Sequence, residues 1–226
     1  VYIFIMGRSL VLAFSTATLC LLIGYPVSYY LAFYVRRWKT PLLFLLILPF
    51  WTNILVQVYA WFFILEKDGV INNVLRSLGI ITESLSLLNS LFAIALVMVY
   101  CFLPFMILPI YTVLEKMDRT LIEASEDLGA TRLQTWRRVI LPLSMPGIRT
   151  GFFLVFVPAF GEFVIPLLMG GDKYFFVGGL IAYEVLNARD WAAAASFTVV
   201  ACVVLLVALY AIHRLFSRST RLMQGG

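Results

Sequence analysis

The chain is organised as long uncharged runs separated by short charged connections. Four runs contain no Asp, Glu, Lys or Arg: residues 9–35, 40–65, 84–114 and 191–212. At a rise of about 1.5 Å per residue, each run is long enough for a helix to cross about 30 Å of hydrocarbon. A helix satisfies all of its backbone polar groups within one segment, as a lipid environment requires. The pattern therefore predicts four transmembrane helices.

A fifth run, residues 150–171, is apolar except for Glu162. It predicts a fifth span, in which Pro158, Gly161 and Pro166 are expected to interrupt the helix. A further apolar stretch, residues 174–183, is too short to cross the bilayer. It predicts a re-entrant or interfacial segment.

The composition also indicates a membrane protein. Of 226 residues, 62% are hydrophobic and 13% are charged, whereas soluble domains are about 45–50% apolar and about 25% charged. The formal net charge of +5 would suit a nucleic-acid-binding protein only if the basic residues formed one face of a soluble fold. Here the basic residues flank apolar runs, so the sequence predicts an all-α, polytopic membrane protein with lipid, and not nucleic acid, as its surroundings.

The basic residues predict the orientation of the spans, because cytoplasmic loops retain Lys and Arg. They are concentrated in the first connection, in residues 115–149 and in the tail of residues 213–226. The first connection holds Arg36, Arg37 and Lys39, and the tail holds Arg214, Arg218 and Arg221. These three segments are predicted to be cytoplasmic. The connection of residues 66–83 and the one that contains Asp172 and Lys173 are predicted to be outside.

This orientation places the first residue outside and the C-terminus inside, with an odd number of spans. Residues 1–8 have neither the basic region nor the cleavage site of a secretory signal. We interpret them as an extracytoplasmic remnant, and we expect a further segment, most simply one more transmembrane helix, to precede them.

The connection of residues 115–149 is longer than a turn between spans needs to be. Thr120 with Glu123, and Thr131 with Gln134, have the spacing of capping boxes. They predict two short helices that are separated at Gly129, the second ending at Pro142.

Each of these helices is predicted to be amphipathic. The apolar stripes consist of Leu121, Ala124, Ser125 and Leu128 in the first helix and Leu133, Trp136 and Ile140 in the second. One interpretation is a hairpin that lies on the inner headgroups. The other is a docking surface for a soluble partner, which is favoured because Glu123, Glu126 and Asp127 would be repelled by anionic lipids.

The same connection resembles the EAA loop of bacterial ABC importer permeases, whose pattern is E-A-A, three residues, G, nine residues and I-x-L-P. Residues 123–125 read EAS, Gly129 follows at the required spacing, and residues 139–142 read VILP. Ser125 and Val139 are conservative departures. The resemblance covers nearly the whole chain and is greatest to permeases of the spermidine/putrescine type. Three further segments carry it: residues 21–26 (LLIGYP), residues 161–166 (GEFVIP) with 169–171 (MGG), and residues 187–191 (NARDW).

The resemblance implies the type I ABC importer permease fold, with five spans in this sequence and six in an intact subunit. It also implies that the EAA loop docks into a cleft of the ATPase. The residues that correspond to this coupling site are Glu123, Ala124, Ser125, Gly129, Ile140, Leu141 and Pro142. The implied partners are two copies of an ATP-binding subunit, a second permease subunit and an extracytoplasmic solute-binding protein, in a bacterial inner membrane.

Glu162 is the candidate for the substrate path. An ionised carboxylate within a span is costly unless it faces protein or water, so it is a functional hypothesis by default. The structural alternative is that Glu162 lies near the outer end of the span and pairs with an Arg or reaches the headgroups.

The function implied by the resemblance is ATP-driven import of polyamines such as putrescine and spermidine. The same architecture could serve another solute, such as ferric iron or an organic anion. A self-sufficient channel, a secondary transporter and an intramembrane enzyme are less well supported, because they need more intramembrane polar groups, inverted repeats or a catalytic cluster. The sequence has no GxxxxGK[ST] motif. We therefore expect no enzymatic activity, cofactor or metal site in this chain, and ATP–Mg on the partner ATPase.

Overall fold

The computed structural model describes residues 2–35, 37–171 and 174–224, with side chains as far as Phe216. Arg36, Asp172, Lys173 and the side chains of Arg218 and Arg221, on which part of the predicted orientation rests, lie outside the described residues. The α-helices of the described part are α1 (Tyr2–Phe33), α2 (Lys39–Ile47), α3 (Ile54–Leu65), α4 (Val70–Ser77), α5 (Leu91–Glu115), α6 (Thr120–Asp127), α7 (Arg132–Thr135), α8 (Leu141–Gly161), α9 (Val164–Gly170), α10 (Val177–Tyr183) and α11 (Trp191–Gln224).

Four helical segments are long and apolar enough to cross a membrane: Tyr2–Phe33, Leu91–Glu115, Arg132–Gly161 and Trp191–Phe216. A bent pair, Lys39–Trp51 with Ile54–Ser77, makes a fifth span if the two halves are counted together. The predicted all-α, polytopic architecture is confirmed, whereas the limits of several spans differ from the prediction.

The core of the fold is formed by α1, α5 and α8, which pack against one another along most of their lengths. Glycines allow this close approach. A Cβ atom at Gly147 would lie 2.8 Å from the carbonyl oxygen of Pro109, and one at Gly151 would lie 2.9 Å from Sδ of Met106. Small residues at a helix interface let the backbones approach where lipid supplies no hydrophobic driving force.

The second predicted span, residues 40–65, is broken and not straight. A 3₁₀ turn, Leu48–Trp51, follows α2, and the two halves of the pair are bent by 95°. The reason lies in the residues at the break. Asn53 starts α3, with its Oδ1 accepting the N–H of Leu55 at 2.8 Å, and Gln57 donates to the carbonyl oxygen of Pro49 at 2.6 Å.

The connection predicted at residues 115–149 is shorter in the structure. The long helix Arg132–Gly161 begins within this connection, because α7, a π-helical turn (Trp136–Ile140) and α8 are continuous. The prediction that Pro142 ends a loop helix is wrong. The N–H of Leu141 bonds to the carbonyl of Trp136 in the π-helical turn, so Pro142 falls in the first turn of α8, where proline is tolerated.

The interruption of the predicted fifth run lies at Glu162 and Phe163, between α8 and α9. The prediction that Pro158 and Pro166 interrupt the helix is wrong, because Pro158 lies inside α8 and Pro166 inside α9. Pro166 falls in the first turn of α9, where an N–H group has no intrahelical partner to lose. The single backbone bond that Pro158 removes does not end a helix that is packed against its neighbours.

The short apolar stretch of residues 174–183 contains α10, which a π-helical turn (Glu184–Ala188) extends. The combined helix, Val177–Ala188, is too short to cross a membrane. Its first N–H group, that of Val177, donates to Oγ of the buried Ser9 at 2.8 Å. This bond fixes α10 beside the first part of α1.

Helices continue beyond the limits of the first and last predicted spans. Residues 2–8 belong to α1, and α11 continues past residue 212 as far as Gln224. The sides of the membrane assigned to these two terminal segments stay predictions.

Contacts between helices fix the bundle at two places. Near the start of α1 Ser9 contacts Val177, and just before α5 the N–H of Asn89 bonds to the carbonyl of Met169 at 2.8 Å. Toward the C-terminal ends of α1 and α5, Tyr25 packs on Trp136 and Lys39 pairs with Glu115.

Replacing Gly147 by Ala tests the close packing of α5 and α8. We expect a loss of about 1–3 kcal/mol of stability, because the added methyl group meets backbone atoms that cannot move aside. Gly179→Ala is the matched control, since a Cβ there meets no atom within 4 Å. Thermal unfolding of the purified full chain measures both, and equal melting temperatures for the two variants would contradict the packing described.

Candidate functional site

The first feature of the site is the start of α6, which is capped by a residue that the sequence pattern does not identify. Oδ1 of Asp118 accepts the N–H of Thr120 at 3.0 Å. This bond lowers the pKa of the Asp118 carboxyl below its usual value, because it stabilises the ionised form. The predicted capping box of Thr120 and Glu123 is wrong, since Thr120 is already the first helical residue.

The end of α6 is a Schellman motif centred on Gly129. The N–H of Ala130 bonds to the carbonyl of Ser125 at 3.0 Å, and the N–H of Gly129 bonds to that of Glu126 at 2.9 Å. Gly129 has φ of +79°, which is the left-handed conformation that this motif requires. The predicted role of Gly129 as the C-cap between two helices is confirmed.

The second helix begins with the predicted capping box. Thr131 accepts the N–H of Gln134, and the Gln134 side chain accepts the N–H of Thr131 at 2.8 Å. The two helices are joined across the turn by a hydrogen bond of 2.9 Å between the hydroxyl groups of Ser125 and Thr135. Residues 118–140 therefore form a defined hairpin, which we call the coupling hairpin.

The predicted apolar stripes of the coupling hairpin are packed against the protein only in part. In the first stripe Ser125 is half-buried, whereas Leu121 and Leu128 are exposed, Leu128 by 88%. The Ser125 hydroxyl is turned toward the protein by its bond to Thr135, so the two leucines stay on the outer surface.

In the second stripe Trp136 is half-buried and Ile140 is buried, whereas Leu133 is exposed.

The exposed face combines apolar and acidic groups. Leu121, Ala124 and Leu128 lie on it, and so do the carboxylates of Glu123, Glu126 and Asp127. An exposed apolar patch with a polar rim is typical of a surface that binds another protein. The base of the coupling hairpin is fixed to α1, since the rings of Trp136 and Tyr25 pack edge to face at 6.0 Å.

The seven residues of the predicted coupling site fall into two groups. Glu123, Ala124 and Gly129 are exposed and available to a partner. The others are packed to different degrees against the bundle: Ser125, Ile140, Leu141 and Pro142. Of these, Ile140 is buried, at 3% exposure. The second group therefore positions the coupling hairpin and does not form its outer surface.

The second feature of the site is the break at Glu162. Oε1 of Glu162 accepts the N–H of Val164 at 2.9 Å and that of Ile165 at 3.3 Å. The carboxylate thus accepts two of the N–H groups at the start of α9, which have no partner within the helix. Among the described residues, Glu162 bonds to these backbone N–H groups and forms no ion pair with an Arg, so that part of the structural alternative is not observed.

Glu162 lines a cavity of about 310 Å³ that lies between α5, the α8 to α9 break and the break of the second span. The residues around it that carry polar side chains are Thr52, Gln57, Tyr100, Cys101 and Glu162. Phe50, Phe102 and Phe105 add aromatic rings. Among the described residues that line this cavity, Glu162 is the charged one, so the cavity has an acidic and aromatic character.

Thr52 and Gln57 were not among the residues predicted for the path. Both lie in an uncharged run, and they were counted as part of a uniform span. The signal that could have identified them is the sequence PFWTN at residues 49–53, which contains Pro, Thr and Asn at the spacing of a break and a new helix start.

Comparisons with known proteins show which family the chain belongs to. Residues 24–222 match the model of a family described as binding-protein-dependent transport system inner membrane component. The chain is 41% identical over 211 residues to the spermidine/putrescine transport system permease protein PotB of Escherichia coli (strain K12), covering 92% of this chain and 77% of that protein. It is 38% identical over 224 residues to the PotB protein of Haemophilus influenzae, covering 98% and 78% respectively.

The fold is similar to that of a solved structure. A chain in the crystal structure of a bacterial ABC transporter involved in the import of the acidic polysaccharide alginate superposes with a TM-score of 0.70 at 20% identity. The superposition covers 93% of this chain and 78% of the other. At this level of identity the similarity concerns the fold alone.

Replacing Gly129 by Ala tests the geometry of the coupling hairpin. The left-handed conformation costs an Ala residue about 1–2 kcal/mol. We therefore expect the amides of residues 128–130 to exchange with solvent deuterium roughly 5- to 30-fold faster, because exchange follows the free energy of local opening. Gly161→Ala is the control, because a Cβ there meets no atom within 4 Å. Hydrogen exchange is measured in the purified full chain. If Gly129→Ala leaves the exchange rates of residues 128–130 unchanged, the Schellman motif is excluded.

Proposed function

We propose that this chain, which belongs to the family of binding-protein-dependent transport system inner membrane components, is the permease subunit of an ATP-driven importer of polyamines. It is a multi-pass inner membrane protein, with several apolar helices and relatives in that membrane. The observation that carries the proposal for the substrate is the acidic and aromatic cavity at Glu162, together with the similarity to spermidine/putrescine permeases.

Polyamines are flexible chains with several ammonium groups, and the cavity offers complementary groups. A carboxylate such as Glu162 binds an ammonium by a charge-assisted hydrogen bond, and aromatic faces attract a cation that has lost its water. The side chains of Thr52 and Gln57 add oxygen acceptors for further N–H groups. An organic anion would meet a carboxylate and no basic side chain among the residues described around this cavity.

The coupling hairpin is the proposed contact with the ATPase. Leu121, Ala124 and Leu128 present an apolar surface, and Glu123 places a carboxylate beside it. A partner cleft with an apolar floor and a basic rim would complement both. Because α6 follows α5 directly and α7 continues into α8, a force on the coupling hairpin reaches two of the three core helices.

The proposed assembly contains two ATP-binding subunits, a second permease subunit and an extracytoplasmic solute-binding protein. ATP–Mg would be held by the ATP-binding subunits, which would carry out the hydrolysis. The second permease would cover apolar surface that the bundle leaves exposed, for example on α2, none of whose residues is buried. The coupling hairpin and the C-terminus of α11 are proposed to face the cytoplasm, following the distribution of Lys and Arg.

Leu128→Asp tests the proposed docking surface. The side chain is 88% exposed, so the change leaves the bundle intact while placing a charge in the proposed interface. We expect the amount of ATPase that co-purifies to fall by roughly 10-fold or more, the size of a hot-spot loss. Leu78→Asp is the matched control, since Leu78 is exposed by 66% in a segment predicted to be outside. A Leu128→Asp variant that still retains wild-type amounts of ATPase would rule out this surface.

Glu162→Gln tests the proposed substrate contact. Gln keeps an oxygen that can accept the N–H of Val164, so the change isolates the charge. We expect the KM for putrescine uptake to rise roughly 10-fold or more, as for a lost hydrogen bond to a charged group. Glu66→Gln, an exposed carboxylate in an outer segment, serves as the control. An unchanged KM and rate for Glu162→Gln would exclude a role in cation passage.

A further inference from the structure

We propose that the ion pair between Lys39 and Glu115 ties α2 to the base of the coupling hairpin and so passes the movement of the hairpin on to the wall of the Glu162 cavity. Lys39 and Glu115 are positioning residues in this proposal. They contact neither the substrate nor the ATPase. The inference rests on the proposed function.

The geometry of the pair is specific. Nζ of Lys39 lies 2.6 Å from Oε1 of Glu115, and it lies 5.3 Å from the ring centroid of Tyr111. Tyr111 is buried, with 5% exposure, and precedes Glu115 by about one turn of α5. The Lys39 ammonium is therefore held between a carboxylate and a fixed aromatic ring on the same face of α5.

The pair is important for the position of α2 because few other contacts within this chain hold the helix. None of the residues of α2 is buried, and only Leu43 and Leu46 of its apolar side chains pack against the core as partly buried groups. The N-terminus of α2 has no side-chain cap. Lys39, the first residue of α2, supplies the polar contact at its inner end.

The other end of α2 leads into the cavity. The 3₁₀ turn Leu48–Trp51 follows α2 directly, and Pro49, Phe50 and Thr52 line the cavity together with Glu162. The Phe50 ring also packs edge to face on Phe105 of α5, with centroids 4.6 Å apart. The distance along the helix axis from Lys39 to Trp51 is roughly 20 Å for α-helical and 3₁₀ rises.

Glu115 connects the pair to the coupling hairpin. It is the last residue of α5, and Asp118, three positions later, caps α6. A displacement of α6 thus moves Glu115 through a short, hydrogen-bonded connection, and the ion pair carries Lys39 and α2 with it. Part-exposed ion pairs such as this one, with side-chain exposures of 25% and 43%, contribute little to stability, so the pair can be removed without unfolding the protein.

Charge reversal in the complete transporter tests the proposal. The variants are Lys39→Glu, Glu115→Lys and the double exchange, reconstituted in proteoliposomes with the ATP-binding subunits, the second permease and the binding protein. The readout is the amount of putrescine taken up per ATP hydrolysed. We expect each single reversal to lower this ratio about 2- to 30-fold, the range of energetic coupling between distant sites, and the double exchange to restore it.

Arg37→Glu is the matched control, because Arg37 is an exposed cation two positions away from Lys39. This variant should leave the uptake of putrescine per ATP unchanged.

A chemical link provides the second test, which does not depend on the assembly of charge-reversed variants. Lys39→Cys with Glu115→Cys, in a background where Cys20, Cys101 and Cys202 are replaced by Ala, removes the ion pair and allows a short thiol crosslinker to rejoin the two helices. We expect a low uptake ratio before crosslinking and a restored ratio afterwards. The reference is the same Ala background with Lys39 and Glu115 intact. If the uptake of putrescine per ATP before crosslinking is as high as in this reference, the proposal is overturned.

The outcomes separate this inference from the proposed function. If the unmodified complex shows no ATP-driven putrescine uptake, the proposed function fails. If the unmodified complex transports putrescine and the single reversals leave the uptake per ATP unchanged, the positioning role of the ion pair is wrong and the proposed function stands. The same conclusion follows if neither the double exchange nor the crosslink restores the uptake per ATP.

Discussion

The structure depends on one constraint, which is that a helix interrupted inside lipid must find new partners for the backbone groups that the interruption exposes. The described part of the chain has two such interruptions, and each supplies its own polar side chains. Glu162 accepts from two N–H groups at the start of α9, whereas Gln57 and Asn53 satisfy the backbone around the break that follows α2. Both breaks line the same cavity. Glu162 and Gln57 therefore each support a break and also give the cavity part of its polarity.

The three-helix core determines how far a displacement at one end of the bundle is transmitted to the other end. α1, α5 and α8 approach closely through glycines such as Gly147 and Gly151, and closely packed helices transmit displacement because their interiors deform little. The coupling hairpin is built from the ends of two of these helices and is not a separate loop. The cavity lies beside the same two helices, so the proposed docking surface and the proposed substrate path are joined by continuous secondary structure.

Much of this arrangement could be predicted from the sequence. Uncharged runs identified the long helices, and the spacing of EAS, Gly129 and VILP identified the coupling hairpin. The limits of the elements could not be predicted where tertiary contacts decide them. Pro142 and Pro158 read as helix breakers, but each lies at a place where the helix continues. Apolar periodicity grouped Ser125 with Leu121 and Leu128 on one stripe, but it could not show that Ser125 turns inward through its hydroxyl contact with Thr135 while the two leucines stay exposed. Thr52 and Gln57 were missed since uncharged polar residues do not interrupt a hydrophobic run.

The central claim is that this chain moves its substrate only when a separate ATPase acts on the coupling hairpin. Uptake of labelled putrescine into proteoliposomes tests this dependence. The proteoliposomes contain this chain, a second permease, the ATP-binding subunits and the binding protein, and uptake is measured with and without ATP on the side of the ATPase. We expect putrescine to accumulate only when both ATP and the ATP-binding subunits are present. Accumulation that persists when either is omitted, or that an ion gradient drives in their absence, would contradict it.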